Sequence, residues 1–278
     1  VKVASTTEVT LKKGFFGEAS LFRAWFYLDK VQKYGDVPLI THALTTDSPE
    51  LYVGRTPRKD VMAQVLIDID NACKNLPDAW PGNLPNRVTR GTALALKARI
   101  CLYEGTYRKY HNLSDKADYE SWLEEAVSAA EECMTLGYKI YDTGNPDKDY
   151  ATLFTSDDLE GNPEMIMYRK YAKGLLMHRQ CGYIINIRAG GTKDFADDFL
   201  CKEPDGTALP TGLSLTFDDS TPEKTFANRD PRMAQTFLKP GDQASILNTN
   251  MGSKSFPRLG DMGSWPSATG YHLIKYYI

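Results

Sequence analysis

The sequence predicts a mainly α protein in which helical pairs support an irregular, loop-rich segment with a few short strands. Three observations predict it. Apolar residues recur at spacings of three and four in long stretches of the first half. Proline, glycine or threonine punctuates the ends of those stretches where helix caps belong. Beyond Gly137 both the period and the length of such runs disappear. The chain therefore divides into a helical scaffold, residues 1–137, and a loop-rich, ligand-facing part, residues 138–278, of the same domain.

The first helix is read from Phe15 to Tyr34. Phe15, Ala19, Phe22 and Phe26 form its stripe, and Trp25, Leu28 and Val31 widen it until little polar surface remains. A helix this apolar is expected to be packed by neighbours on more than one side. Gly35 suits a left-handed C-cap, and Pro38 prevents the helix from resuming. After a polar passage to Arg55, Thr56 is the expected N-cap of a second helix and Pro57 its first residue. Val61, Val65, Ile69, Ala72 and Leu76 carry that helix to Pro77. Trp80 follows in a loop of prolines and glycine.

Thr89 opens the third helix, TRGTALALKARICLYEGTY, whose Ala93, Ala95 and Ala98 allow another backbone to approach closely. The fourth, Asp118 to Leu136, carries Tyr119, Trp122, Leu123, Ala126, Ala130 and Cys133 on one face and a run of glutamates on the other; Gly137 caps it. The glutamates read as a solvated face. Helices three and four look like one tetratricopeptide unit, although the connection from Tyr107 to Ala117 is too long for a strict repeat. Helices one and two form a looser pair. Two pairs fall short of the roughly three repeats such arrays need, so further partners are expected.

In the second half, YKIY, MIMYRKYAK and YIINI are strand candidates, and DTGNPDKD is a turn. A short helix is expected over Thr192 to Leu200, and a modest one over Pro222 to Phe237, broken at Pro231. Residues 240–270 are rich in glycine, serine and proline, with Trp265 among them.

Composition excludes several classes. The chain has 278 residues, 42% hydrophobic and 25% charged, with a net charge of −3. That is a globular composition, and without a basic run it offers nucleic acid no electrostatic footprint. No apolar run reaches the roughly 18 residues needed to span a bilayer. The opening VKVASTTEVT shows no basic, apolar and small-residue succession and no initiator Met, so no signal peptide is read and the start looks processed or trimmed. Cys73, Cys101, Cys133, Cys181 and Cys201 are scattered, odd in number and without a CxxC pair, which reads as buried free thiols rather than a disulfide framework.

A family resemblance runs through the chain in order. It is carried by GEASLFRAWFYLDKVQKYGDVPLI, RTPRKDV at Arg55 to Val61, Leu76–Pro77, RVTRGTALALKARICLY from Arg87 to Tyr103, NPEMI at Asn162 to Ile166, Asp205–Gly206, NRDPR at Asn228 to Arg232 and TGYHLIKYY from Thr269. Together these blocks resemble the SusD/RagB family of glycan-binding outer-membrane lipoproteins. The resemblance implies a SusD-like fold of tetratricopeptide-like helical pairs beneath a loop-rich ligand face. It also implies a lipid-anchored place at the cell surface, on the outer membrane, and delivery of captured oligosaccharide or polysaccharide to a SusC-like, TonB-dependent transporter. Family members are longer at both ends, so the chain reads as partial, with the anchor absent. Within the blocks, Arg23 and Asp36 are expected to make buried polar links, and Arg229, Asp230 and Arg232 a salt-bridged turn.

Glycan capture needs aromatic planes for sugar C–H faces and nearby polar groups for hydroxyls. Trp265, in GSWPS, is the first candidate ligand residue because nothing periodic surrounds it to bury it; Tyr183 and Trp80 follow, with Tyr52 and Tyr110 also in loops. His178, Arg179 and Asn186 are the polar candidates. Each ring has an alternative role as a cap on the helical core. A glycoside hydrolase is the enzymatic alternative, drawing on Asp157, Asp158, Glu160, Asp197, Asp198, Asp218 and Asp219, but adjacent loop acids are ordinarily solvated and nothing tunes one above another. No catalytic residue is assigned and no enzyme is expected. His42, His111, His178 and His272 lie too far apart for a zinc motif, so no metal or cofactor is expected, with a structural Ca²⁺ left open for the loop acids. A third reading is a protein-interaction scaffold for the transporter without direct glycan binding.

Overall fold

The structure, a computed structural model, describes residues 6–82, 84, 86–156, 158–171, 174, 176, 190–240 and 269–275. It is mainly helical and forms two compact units: Val1–Lys139 with Met165–Arg169, and Ile140–Glu164 with Lys170–Ile278.

The first unit holds α1 (Thr6–Tyr34), α2 (Arg58–Asn75), α3 (Arg90–Tyr110) and α4 (Lys116–Met134). α1 packs chiefly on α2 and α3 on α4, while α2 against α3 joins the pairs. The caps follow the local chemistry. Gly35 adopts φ 68° and its N–H donates to Val31 O at 3.0 Å, closing α1 in the left-handed conformation that side chains disfavour. Thr89 precedes α3, Asp115 caps α4 by accepting from Asp118 N at 2.9 Å, and Pro57 occupies the N-cap of α2 in place of the expected Thr56. α1 begins at Thr6, well before Phe15, and Gly14 and Gly17 lie inside it at close approaches. A Cβ on Gly17 would sit 2.9 Å from Leu76 Cγ and 3.0 Å from Leu76 N.

The face of α1 that packs keeps Leu28 and Val31 of the expected stripe but not Phe15, Ala19, Phe22, Trp25 or Phe26. Gly14, Gly17 and Ser20 are buried, and Leu21, Ala24, Tyr27, Leu28 and Val31 join Val61, Val65, Ile69, Ile100 and Trp122 in one core. Phe15, Phe22 and Phe26 are 50%, 53% and 54% exposed. α1 is therefore buried on one side only, marked by Leu21, Ala24, Tyr27, Leu28 and Val31 with Gly14, Gly17 and Ser20, while its phenylalanines and Trp25 face outward. No described helix is long and apolar enough to cross a membrane.

The second unit is built from short pieces: α5 (Asp149–Thr155), α6 (Lys193–Asp197), α7 (Pro222–Thr225) and α8 (Pro231–Thr236), with β1 (Gly190–Gly191) antiparallel to β4 (Tyr271–His272) and β2 (Cys201–Lys202) antiparallel to β3 (Ala208–Leu209). α6 and the break at Pro231 match expectation. The Asp205–Gly206 pair makes the β2–β3 turn, with Gly206 at φ 87°. Two expectations are corrected. Tyr138–Tyr141 and residues 165–171 form no strand, having no ladder partner to satisfy their backbone. α5 was hidden behind turn residues; Asp149 organises it by accepting from Thr143 N and Oγ1 and from Asn145 N. YIINI lies outside the described residues. The core here is Phe237 with Ala196 and Met233, ringed by Phe199, Phe226, Tyr271 and Leu273.

Candidate functional site

Of the residues singled out for a ligand, Trp265, Tyr183, Arg179, Asn186 and His178 lie outside the described residues. Trp80 is described and takes the packing alternative. It is 6% exposed, its indole N–H donates to Val88 O at 2.6 Å, and Phe15 stacks on it at 6.2 Å. The Arg87 guanidinium lies 3.6 Å over the ring and forms a two-toothed pair with Glu18 at 2.6 and 2.8 Å. The prolines around Trp80 suggested an open loop; the glycine at position 14 of α1, invisible as a pocket in the sequence, is what receives the ring. Tyr52 and Tyr110 are exposed, at 88% and 74%, and remain open platforms on the first unit.

The polar centre of that unit was not anticipated. Glu104, fully buried on α3, accepts two bonds from Arg58 of α2 at 2.9 and 2.6 Å and one from Arg108 at 2.6 Å. Arg108 continues to Asp118 of α4 at 2.7 Å, and the Arg58 backbone N–H donates to Asp36 Oδ1 at 2.8 Å. Arg58 also lies 3.8 Å over the Tyr107 ring, which stacks on His111 at 4.0 Å. An open cleft of about 580 Å³ sits above this chain of charges, lined by Asp36, Arg58, Glu104, Arg108 and Asp118 among others. Hydrogen bonding from Arg108 holds the Asp118 carboxyl below its usual range. The signal available in the sequence was Glu104 itself, a carboxylate at an apolar position of a helix whose neighbours Arg58 and Arg108 could reach it.

Such pairs recur at each helical junction. Arg23 grips buried Asp68 with two bonds at 2.7 and 2.6 Å, as expected of a buried polar link, whereas Asp36 is exposed and serves the start of α2. Lys97 bridges Asp70 of α2 and Glu125 of α4 at 2.8 and 2.5 Å. These are clips between helices; their donors are occupied. Burial pushes the thiols of Cys73 and Cys101 up to about 12, which makes them inert packing groups.

In the second unit, Tyr150 and Phe154 meet edge to face at 4.9 Å, and Lys275 Nζ lies 3.9 Å from the Phe154 ring and bonds Tyr150 OH. Both rings are partly exposed. The loop acids are held by lysines: Asp158 and Glu160 by Lys170 at 2.8 and 3.2 Å, Asp197 and Asp219 by Lys193, Asp218 by Lys224 at 2.6 Å. Lys224 drives the Asp218 carboxyl well below the carboxylate range, opposite to the direction a general acid requires. Among the described residues, no three His, Cys, Asp or Glu side chains converge as a metal site would need. In NRDPR, Asp230 pairs with Arg232 as expected, but Arg229 instead turns inward and donates to Ala196 O, Phe199 O and Thr225 O at 2.6, 2.7 and 3.1 Å.

Comparison with known proteins places these features. Residues 2–102 match the SusD-like family model described as starch-binding, associating with the outer membrane. A SusD-like protein of Formosa agariphila is 29% identical over 163 residues, which are 56% of this chain and 28% of that protein. A SusD-like protein from Bacteroides fragilis superposes with a TM-score of 0.71 at 23% identity, covering 98% of this chain and 52% of its own. A SusD-like carbohydrate-binding protein from Bacteroides fragilis gives 0.68 at 20% identity, covering 98% and 49%. A laminarin-binding SusD-like protein gives 0.53 at 20% identity, covering 98% and 53%. The chain spans about half the length of these solved relatives, and at such identities the structural likeness speaks for the fold.

Proposed function

We propose that this chain, which belongs to the SusD/RagB family, binds an oligosaccharide or polysaccharide at the cell surface and passes it, uncleaved, to a partner TonB-dependent outer-membrane transporter. The observation that carries the reading is a coincidence of two matches. Residues 2–102 fit a family model whose description is starch-binding, and the same fold extends over 98% of the chain to relatives that include carbohydrate- and laminarin-binding proteins. Physical support comes from the division of labour. Long clipped helices make a rigid base, and loop-rich segments carry aromatic and polar side chains of the kind that hold sugars. Trp265 and Tyr183 are the proposed stacking rings, with Arg179, Asn186 and His178 for hydroxyls; Trp80 is withdrawn from this set because its ring is buried and its N–H is engaged. Attachment to the outer membrane through a lipid anchor belongs to the same reading.

An affinity-gel or glycan-array screen tests it, with the Trp265→Ala, Tyr183→Ala double variant alongside. Retardation by one polysaccharide, at least roughly tenfold weaker in the variant at unchanged thermal stability, is the expected result, since a lost stacking ring costs on the order of 1 kcal/mol or more. Retardation unchanged in the variant would overturn the residue assignment. Failure to bind across starch, laminarin and other glucans, mannans and host-type glycans would favour the scaffold reading, and reducing ends released during incubation would favour a hydrolase.

A further inference from the structure

The two units differ in charge, and the difference bears on the kind of glycan the loop-rich one can take. Residues 140–164 and 170–278 hold 18 Asp and Glu against 14 Lys and Arg, a net charge of −4, whereas the helical unit holds 18 against 19. Described cations of the loop-rich unit are also spent inside it. Lys170 is shared by Asp158 and Glu160, and Lys193 by Asp197 and Asp219, so each of these groups keeps a surplus negative charge. Lys224 is held by Asp218 and Arg232 by Asp230. Arg229 is given to backbone carbonyls, and Lys275 to Tyr150 OH and the Phe154 ring. Other acids accept from uncharged donors: Asp149 from Thr143 and Asn145, Asp205 from Thr207, Glu203 from Ser214 and Thr216. Hydrogen bonds from Thr143, Thr207, Lys224 and Arg232 hold the carboxyls of Asp149, Asp205, Asp218 and Asp230 below the ordinary range, so their charge persists into mild acid.

We infer that the ligand of this unit is an uncharged, hydroxyl-rich glycan and not a sulfated or uronic-acid polyanion, an inference that rests on the glycan-binding reading above. Ionised carboxylates are acceptors only, so a ligand matched to them must bring O–H donors. An uncharged polysaccharide carries such donors on every sugar. A sulfate or carboxylate brings acceptors and like charge instead. The cations that would answer it, Lys170, Lys193, Lys224 and Arg232, are each committed to a carboxylate at 2.5–3.3 Å. Taking one over leaves its carboxylate uncompensated beside the incoming anion, which sets repulsion against the new pair. The net negative field of the unit acts in the same direction at longer range.

Affinity gels at pH 7 test the charge class, using the 278-residue protein with starch, laminarin and galactomannan on one side and alginate, polygalacturonate and heparin on the other. The expected result is retardation by an uncharged polysaccharide and by none of the anionic ones. That retardation should change less than about twofold between about 20 and 500 mM salt, because no ion pair is made with the ligand. Chemical sulfation of the same polysaccharide should weaken it roughly tenfold or more. The triple variant Asp158→Asn, Glu160→Gln, Asp218→Asn releases Lys170 and Lys224 from exposed pairs that contribute little to stability. At unchanged melting it should gain a salt-sensitive retardation by heparin and keep that by the uncharged polysaccharide. An anionic polysaccharide bound more tightly than every uncharged one, or a variant that gains nothing toward heparin, overturns the inference and leaves the glycan-binding reading in place. Retardation by none of the polysaccharides counts against that reading itself, and this inference falls with it.

Discussion

The two units solve the same problem by opposite means. In the first, long helices satisfy their own backbones, so the side chains are free to join one helix to another: Arg23 to Asp68, Arg58 to Glu104, Lys97 to Asp70 and Glu125, Arg108 to Asp118. In the second, helices and strands of a few residues leave much backbone unpaired, and side chains are used to satisfy it. Arg229 serves three carbonyls, Gln235 donates to Pro146 O and Pro231 O and accepts from Ala151 N, and Asp149 collects the N–H groups of its turn. Buried Glu203 accepts from Ser214 and Thr216, leaving Leu213 and Leu215 exposed between and beside them. The lesson is that charge in the scaffold specifies which helix meets which, whereas charge in the loop-rich unit holds the shape of the chain itself.

Breaking one member of each kind separates the two roles. Glu104→Gln leaves Arg58 without its carboxylate and Arg108 with Asp118 alone, and should destabilise the first unit by about 3–5 kcal/mol, the usual cost of breaking a buried ion pair on one side. Thermal melting with region-resolved hydrogen exchange checks it; faster exchange confined to the second unit would contradict the assignment. Arg229→Met should cost about 3 kcal/mol by leaving carbonyls of Ala196, Phe199 and Thr225 short of donors. Its exchange signature should appear around residues 193–201 and 225–230, with α1–α4 protected as before.

The smallest effect is acid sensitivity. Hydrogen bonds from Arg108 and Arg232 lower the carboxyls of Asp118 and Asp230 in the folded chain. The unfolded chain then binds more protons, so the stabilisation is complete above the ordinary aspartate range near 4 and fades as pH falls below it. Denaturant midpoints measured from pH 6 downward should drop, and Asp118→Asn should flatten the slope in the first unit only. An Asp118→Asn slope equal to that of the parent would remove Arg108–Asp118 from the account.

What the sequence determined by itself was mostly local. The helices of the first half, the cap at Gly35, the starts at Thr89 and Thr192, and the break at Pro231 depend on residues within a turn or two, where capping and periodicity act. The family blocks likewise located Arg23 and the Asp230–Arg232 pair before their partners were known. Tertiary structure alone decided the rest, because it depends on who lies opposite. α1 has apolar residues all round, so composition could not say that Gly14, Gly17, Leu21 and Ala24 face the core while Phe15, Phe22 and Phe26 face outward; packing decided it, with Gly17 admitting Leu76 and Gly14 the Trp80 ring. Trp80 looked open among prolines and is closed by a helix 66 residues earlier in the chain at Gly14. Glu104 acquired its meaning from Arg58, a partner 46 residues away. Periodicity reports how a segment is built, and only packing reports which of its faces is met.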